Sequence, residues 1–192
     1  MKYFFIALIS YLLGSVPFGY FIGKKIYKKD IRSLGSGNIG TTNALRNFGK
    51  TAGLLTFILD AFKGAVAAYI GGKIAGENGM SFAMLIVVLG HMYSFLLNFK
   101  GGKGIATVFG ALIYIKPLFA LCMFGVFFVI VLVSRMVSLG SIGVCLVAIF
   151  ASIYKYGLNY FSLSLSLIAV IIVIKHKDNI KRIMKNEENK LF

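Results

Sequence analysis

Seven stretches of this chain run apolar for eleven residues or more, with short polar segments between them. They lie at about 3–23, 49–71, 80–98, 105–115, 118–133, 141–153 and 160–174. A helix that crosses a bilayer needs about 20 apolar residues. In hydrocarbon only helices and closed barrels satisfy every backbone amide. Period-two alternation is absent, so the stretches read as helices: an all-α integral membrane protein with seven transmembrane helices. The 105–115 stretch is too short for a full span alone and is read as extending back through the glycines at 101–104. Lys116-Pro117 marks a turn. The first stretch resembles a signal peptide, with Lys2 ahead of it. Pro17 interrupts it, however, no small-x-small cleavage pattern ends it and four lysines follow, so it reads as a retained helix. Hydrophobic residues make up 58% of the chain and charged residues only 14%, against roughly 25% charged in soluble domains. That excludes an ordinary soluble domain and a disordered chain.

Seven crossings put the termini on opposite sides. The 24–50 segment, the 99–104 and 134–140 loops and the tail from 175 carry 16 lysines and arginines, against four on the other side. The positive-inside rule therefore predicts the N-terminus outside and the C-terminus in the cytoplasm. No long linker, low-complexity tract or repeat divides the chain, so residues 1–192 read as one domain. The net charge of +15 sits between the apolar stretches, which points to anionic lipid or a small anionic substrate and away from nucleic acid. Cys122 and Cys145 lie inside apolar stretches and imply neither a metal site nor a disulfide framework.

The polar clusters all fall on the predicted cytoplasmic side. In Gly35-Ser36-Gly37-Asn38-Ile39-Gly40-Thr41-Thr42-Asn43, the glycines allow amides to turn toward an anion. Ser36, Thr41, Thr42, Asn38 and Asn43 add side-chain donors. A helix from about Thr42 would aim its N-terminus at the same point, with Arg46 beside it. A flexible loop with an N-cap is the plainer alternative. The Gly-x-x-x-x-Gly-Lys-Ser/Thr pattern of a phosphate-binding loop is absent. In Lys100-Gly101-Gly102-Lys103-Gly104, Lys103 sits between glycines at the start of a short helix, which suits phosphate, whereas Lys100 reads as a head-group lysine. Ser134 to Ser141 reads as a turn with Ser141 as N-cap. His176 and Asn179 share a helical face pointing back toward the membrane, on a basic segment that could equally rest on anionic lipid. Asp60 and Lys63, three apart in the second stretch, read as a neutralising ion pair, and His91 as a buried hydrogen-bonding residue. No paired carboxylates sit in the candidate site, no histidine has an acid four residues away as in a His–Asp dyad, and metal-ligand sets are missing. The inventory holds oxyanions and stabilises charge, which favours a lipid-linked phosphate as substrate.

Together with Leu13-Gly14-Ser15-Val16-Pro17-Phe18-Gly19, Leu59-Asp60-Ala61-Phe62-Lys63-Gly64, Gly90-His91 and the run His176 to Arg182, these clusters resemble the bacterial acyl-phosphate-dependent glycerol-3-phosphate acyltransferase family (PlsY). The resemblance covers almost the whole chain. It implies transfer of a fatty acyl group from acyl phosphate to the 1-hydroxyl of sn-glycerol 3-phosphate, giving lysophosphatidic acid and inorganic phosphate. It also implies a multi-pass protein of the bacterial cytoplasmic (inner) membrane, with its active site facing the cytoplasm; a monomer without cofactor or metal is expected. By the same resemblance Ser36, Gly37, Asn38, Gly40, Thr41, Thr42, Asn43, Gly102, Lys103 and Gly104 would hold acyl phosphate. Arg46, Lys103, Ser141, His176 and Asn179 would hold glycerol 3-phosphate, and Lys103, Arg46, Ser141 and His176 would be catalytic. Ile39 stands where many members have proline, Thr41 where many have alanine, and Asn186-Glu187-Glu188 differs from the usual glycine-glutamate ending. The attacking hydroxyl's proton goes either to a phosphate oxygen or to His176. The alternative reading is a transporter or channel for a phosphorylated small molecule. It would place its site at the midplane between repeated halves, whereas these clusters share one face. A non-catalytic binder of anionic lipid would have no use for the Ser/Thr/Asn/Gly loop.

Overall fold

The computed structural model describes residues 1–191, and these are helical throughout, with no strand among them. The helices are α1 (Lys2–Ser15), α2 (Phe18–Lys25), α3 (Thr41–Phe48), α4 (Lys50–Met92), α5 (Ile105–Ile115), α6 (Pro117–Ser134), α7 (Val137–Tyr156), α8 (Tyr160–Lys175) and α9 (Lys177–Met184). They form two compact units that divide between Ile115 and Lys116.

In the first unit the leading apolar stretch is two helices. Pro17 has no N–H to continue the ladder, so α1 ends with Val16 N–H on Leu13 O at 3.3 Å and α2 restarts at Phe18. Within α4, Ala75 (φ −144°, ψ 27°) and Gly76 (φ 61°, ψ −149°) leave helical geometry. A Cβ on Gly71 would overlap the carbonyl oxygen of Gly79, and one on Gly79 that of Gly71. Eight residues along a straight helix would separate them by about 12 Å, so the chain doubles back at Gly76 as a helical hairpin. Its returning arm packs on α1 where Gly90 meets Gly14, a Cβ on Gly90 falling 3.1 Å from the Gly14 Cα. Its outgoing arm packs on α5, with Gly64 against Thr107 O and Gly110 against Ala61. Small residues of this kind let membrane helices approach backbone to backbone. At one end of the unit Ile22, Ile31, Ile39, Ala44, Ala52 and Leu97 form a buried cluster flanked by Tyr20, Tyr27, Phe48 and Leu59.

In the second unit Pro117 opens α6 at a position where its missing N–H costs nothing. Gly140 and Gly143 of α7 lie under Val131 and Ile130 of α6. Asn159 and Ser162 cap α8 reciprocally, and α9 leaves α8 at a 55° bend. Phe124, Phe128, Val129, Leu132 and Val133 are exposed along α6, as a lipid-facing helix requires.

Among the described residues, four helical runs are long and apolar enough to cross a bilayer: Lys2–Lys25, Lys50–Leu97, Pro117–Ser134 and Val137–Tyr156. The bent α8–α9 pair makes a fifth. Length and apolarity thus pick out four or five of the seven expected crossings. The Lys50–Leu97 run contains the Gly76 reversal, and α5, with 11 residues, is about 16 Å long against a hydrocarbon thickness of about 30 Å.

Candidate active site

Asn43 builds the first loop. It is buried on α3, and its Nδ2 faces the carbonyls of Ile31 (3.2 Å), Leu34 (3.0 Å) and Asn38 (2.8 Å). Its Oδ1 accepts from the Ser36 N–H at 3.1 Å and from Asn47 Nδ2 at 2.9 Å. Gly35 (φ 54°) and Gly37 (φ 70°) take the left-handed conformations that wrap the chain around this amide. The sequence suggested that the loop amides face an anion, but most of them turn inward. Gly37 N–H donates to Leu34 O at 2.9 Å, Asn38 N–H to Ser36 Oγ at 3.4 Å and Gly40 N–H to Asn38 Oδ1 at 2.8 Å. Asn43 and the oxygens of Ser36 and Asn38 therefore brace the loop. What the loop presents is the first turn of α3, whose amides at Thr41, Thr42 and Asn43 precede the first helical bond, Ala44 N–H to Gly40 O at 3.1 Å. Thr41 Oγ1 is buried there without a hydrogen-bond partner. Thr42 is half-buried and Arg46 exposed, one turn apart on the same helical face.

The second loop repeats this plan. Lys100 N–H donates to Leu97 O, Gly101 N–H to Met92 O and Gly102 N–H to His91 O, each at 3.1 Å. Gly102 and Gly104 are buried, Lys103 is half-buried and Lys100 exposed. Gly104 turns the chain at φ 86°, and α5 begins with Val108 N–H on Gly104 O at 2.9 Å. Lys103 thus sits two residues ahead of a helix whose first-turn amides have no helical acceptor. Leu97, which leads into this loop, packs in the same cluster as Ile31 and Ile39 of the other.

A buried polar group lies beneath the second loop. Lys63 Nζ is 2.7 Å from Asp60 Oδ1, 2.9 Å from Val16 O and 2.9 Å from His91 Nδ1. His91 Nδ1 also lies 3.5 Å from Asp60 Oδ1, and an ammonium has no lone pair, so toward Lys63 the ring accepts at Nδ1. The sequence made the Asp60–Lys63 pair legible. It did not show the link to His91, which lies 28 residues away.

The remaining predicted residues belong to the second unit, where Ser141, His176 and Asn179 are all buried. Ser141 is not an N-cap: α7 starts four residues earlier, and Ser141 Oγ donates to Val137 O at 2.9 Å. Ser134 manages that junction instead, donating to Ile130 O at 2.6 Å and accepting from the Met136 N–H at 3.1 Å. His176 stands at the α8–α9 bend with Nδ1 2.8 Å from Ile172 O. A carbonyl only accepts, so Nδ1 carries the proton, and in the neutral ring Nε2 bears a lone pair. Asn179 Nδ2 and Ser138 Oγ both donate to Glu188 Oε1 at 2.8 Å, and Arg182 Nε donates to Oε2 at 2.8 Å. Burial opposes ionisation of Glu188, but these three donors outweigh it and hold the carboxyl below its usual range. Glu188 was missed as an organising residue. Its one sequence signal was a carboxylate in a strongly basic tail.

A family model described as glycerol-3-phosphate acyltransferase matches residues 4–186. The glycerol-3-phosphate acyltransferase of Carboxydothermus hydrogenoformans is 46% identical over 186 residues, covering 96% of this chain and 94% of the relative. That of Finegoldia magna is 42% identical, covering 97% and 94%. A crystal structure of PlsY (YgiH), an integral membrane glycerol 3-phosphate acyltransferase, in its glycerol 3-phosphate form superposes with a TM-score of 0.95. It is 36% identical and covers 100% of this chain and 96% of that one. Its lysophosphatidic acid form superposes with a TM-score of 0.92. With matches that run nearly end to end in both sequence and fold, this chain belongs to the glycerol-3-phosphate acyltransferase family.

Proposed function

We propose that this protein transfers a fatty acyl group from acyl phosphate to the 1-hydroxyl of glycerol 3-phosphate, releasing inorganic phosphate and leaving lysophosphatidic acid in the membrane. One observation carries the reading. Two short helices, α3 and α5, each begin after a glycine-bearing loop most of whose amides are occupied internally, and each has a basic side chain close by, Arg46 and Lys103. That is equipment for holding phosphate oxyanions.

The protein would cross a bacterial inner membrane seven times as one enzyme and act as a monomer. Its N-terminus would lie outside, with the loops and tail in the cytoplasm. The Gly76 reversal supports this by making two spans of the Lys50–Leu97 run, and the asymmetric basic residues supply the orientation. Thr41, Thr42, Gly102, Lys103 and Gly104 would meet the acyl phosphate, within a loop shaped by Ser36, Gly37, Asn38, Gly40 and Asn43. Arg46, Lys103, Ser141, His176 and Asn179 would bind glycerol 3-phosphate.

Acyl phosphate is already activated, so catalysis consists of aligning the hydroxyl with the carbonyl and screening two phosphates from one another. Alignment alone can contribute about 7–11 kcal/mol. The hydroxyl oxygen forms the new ester bond, the carbonyl–phosphate bond breaks, and a phosphate oxygen takes the hydroxyl proton.

Phosphate release by purified protein tests this, with palmitoyl phosphate offered alone, with glycerol 3-phosphate, and beside palmitoyl-CoA. Release that requires both substrates and forms lysophosphatidic acid is the expected result. Release without glycerol 3-phosphate, or acyl transfer from palmitoyl-CoA, would overturn it.

A further inference from the structure

The Asp60–Lys63–His91 group lies outside every substrate-facing role assigned above, yet three charged or titratable side chains, each less than 5% exposed, are costly to keep inside an apolar helical unit. Their placement shows what they accomplish. His91 meets the second loop twice. Its carbonyl accepts the Gly102 N–H at 3.1 Å, and its ring fills the place where a Cβ on Gly102 would be, so that only glycine fits over Nε2. Lys63 fixes the ring from the other side by donating to Nδ1, which leaves the neutral ring's proton on Nε2. The same ammonium holds Val16 O, exposed by the break at Pro17. The helix that follows the break packs Gly19 against Ile39 O of the first loop. One buried cation thus ties down the supports of both glycine loops.

We infer that Asp60, Lys63 and His91 form a positioning assembly that fixes the 101–104 loop, and Lys103 with it, without touching substrate. The inference rests on the acyltransferase reading for its kinetic consequence but not for its structural one. A shift of about 1 Å in a catalytic group from a change outside the chemistry can lower the rate about 100-fold.

The test uses His91→Asn, which keeps an oxygen acceptor for Lys63 but removes the ring under Gly102. Its kcat is expected to fall 10- to 100-fold, on the order allowed for such misplacement. In the His91→Asn, Lys103→Ala double variant the loss should match that of Lys103→Ala alone, because coupled residues are not additive. Amide hydrogen exchange should accelerate over 101–104 while α1 and α6 exchange as in the wild type. Losses that multiply in the double variant, or unchanged exchange over 101–104, would overturn the inference. If His91→Asn exchanges globally, Asp60→Asn takes its place, since it leaves the ring present and removes the charge that anchors Lys63. Faster exchange confined to 101–104 is again the expected result, and wild-type exchange there overturns the inference. A wild type that releases no phosphate would remove the acyltransferase reading, and exchange alone would then decide whether this assembly positions the loop.

Discussion

Asn179 donates its side-chain amide to Glu188 Oε1 at 2.8 Å, so a residue predicted to meet substrate is oriented by the C-terminal tail. Ser138 and Arg182 converge on the same carboxylate. Glu188→Gln removes the charge and turns an amide donor toward Arg182. Hydrogen bonds to charged groups contribute about 1.5–3 kcal/mol each, so the variant should lose stability on that order and melt at a lower temperature. The wild type has a matching pH signature. The folded pKa lies below the ordinary 4.5, so the stabilisation is complete above that value and is lost as pH falls through the folded one. Thermal melts on acidification should show this loss in the wild type and not in Glu188→Gln.

Lys103→Ala should lower turnover severely, about 100- to 1000-fold if Lys103 acts as a charge-stabilising donor. Lys103 lies in a loop between glycines and outside the helices, so the detergent-extracted variant should keep its helical circular dichroism and melting temperature. Phosphate-release kinetics beside a melt check both statements, and near-normal turnover would remove Lys103 from the site.

His176→Gln separates the two proton acceptors. Glutamine hydrogen-bonds but is not basic, so if a phosphate oxygen takes the proton most of the activity survives. If His176 Nε2 is the base, kcat should fall by about 100-fold or more. The expected outcome is survival, read from kcat under saturating substrates.

Asn43→Asp is nearly isosteric and keeps the acceptor for the Ser36 N–H. It removes the donors that face the carbonyls of Ile31, Leu34 and Asn38 and places a negative charge among them. The structure predicts a collapsed loop, a loss of about 1–3 kcal/mol in stability and loss of acyl-phosphate binding. Asn43→Ser, with a shorter side chain, should fail in the same direction. A wild-type melt for Asn43→Asp would contradict the bracing role.

Much of this arrangement was visible beforehand, and the exceptions share a cause. The apolar stretches, the break between those at 49–71 and 80–98, the turn at Lys116-Pro117 and the Asp60–Lys63 pair are local features, and local periodicity reports them. Pro17 was seen as an interruption, and it is a full break. Ser141 was misplaced because serine is a common N-cap, whereas here its hydroxyl bonds back to the preceding turn. The inward-turned amides of 36–40 depend on one asparagine side chain reaching back across the loop. The Glu188–Ser138 and His91–Lys63 contacts join residues 50 and 28 positions apart, with only a charge or a buried ring to mark either end. The helices were readable because their determinants lie within a turn or two. The supports of the loops were not, because theirs lie in other segments.

The i, i+3 spacing of Asp60 and Lys63 also bears on how the protein is made. A lone lysine at the centre of a helix costs roughly 2.5–3.5 kcal/mol to insert into a bilayer. Here its counter-charge is wound into the same turn, so the outgoing arm of the hairpin can enter lipid as a neutral pair while the rest of the chain is still on the ribosome. Val16 has been synthesised by then, and His91 arrives only with the returning arm. The contact between Lys63 and His91 therefore waits until the hairpin closes, which gives the nascent protein an order of assembly and a reason to complete it.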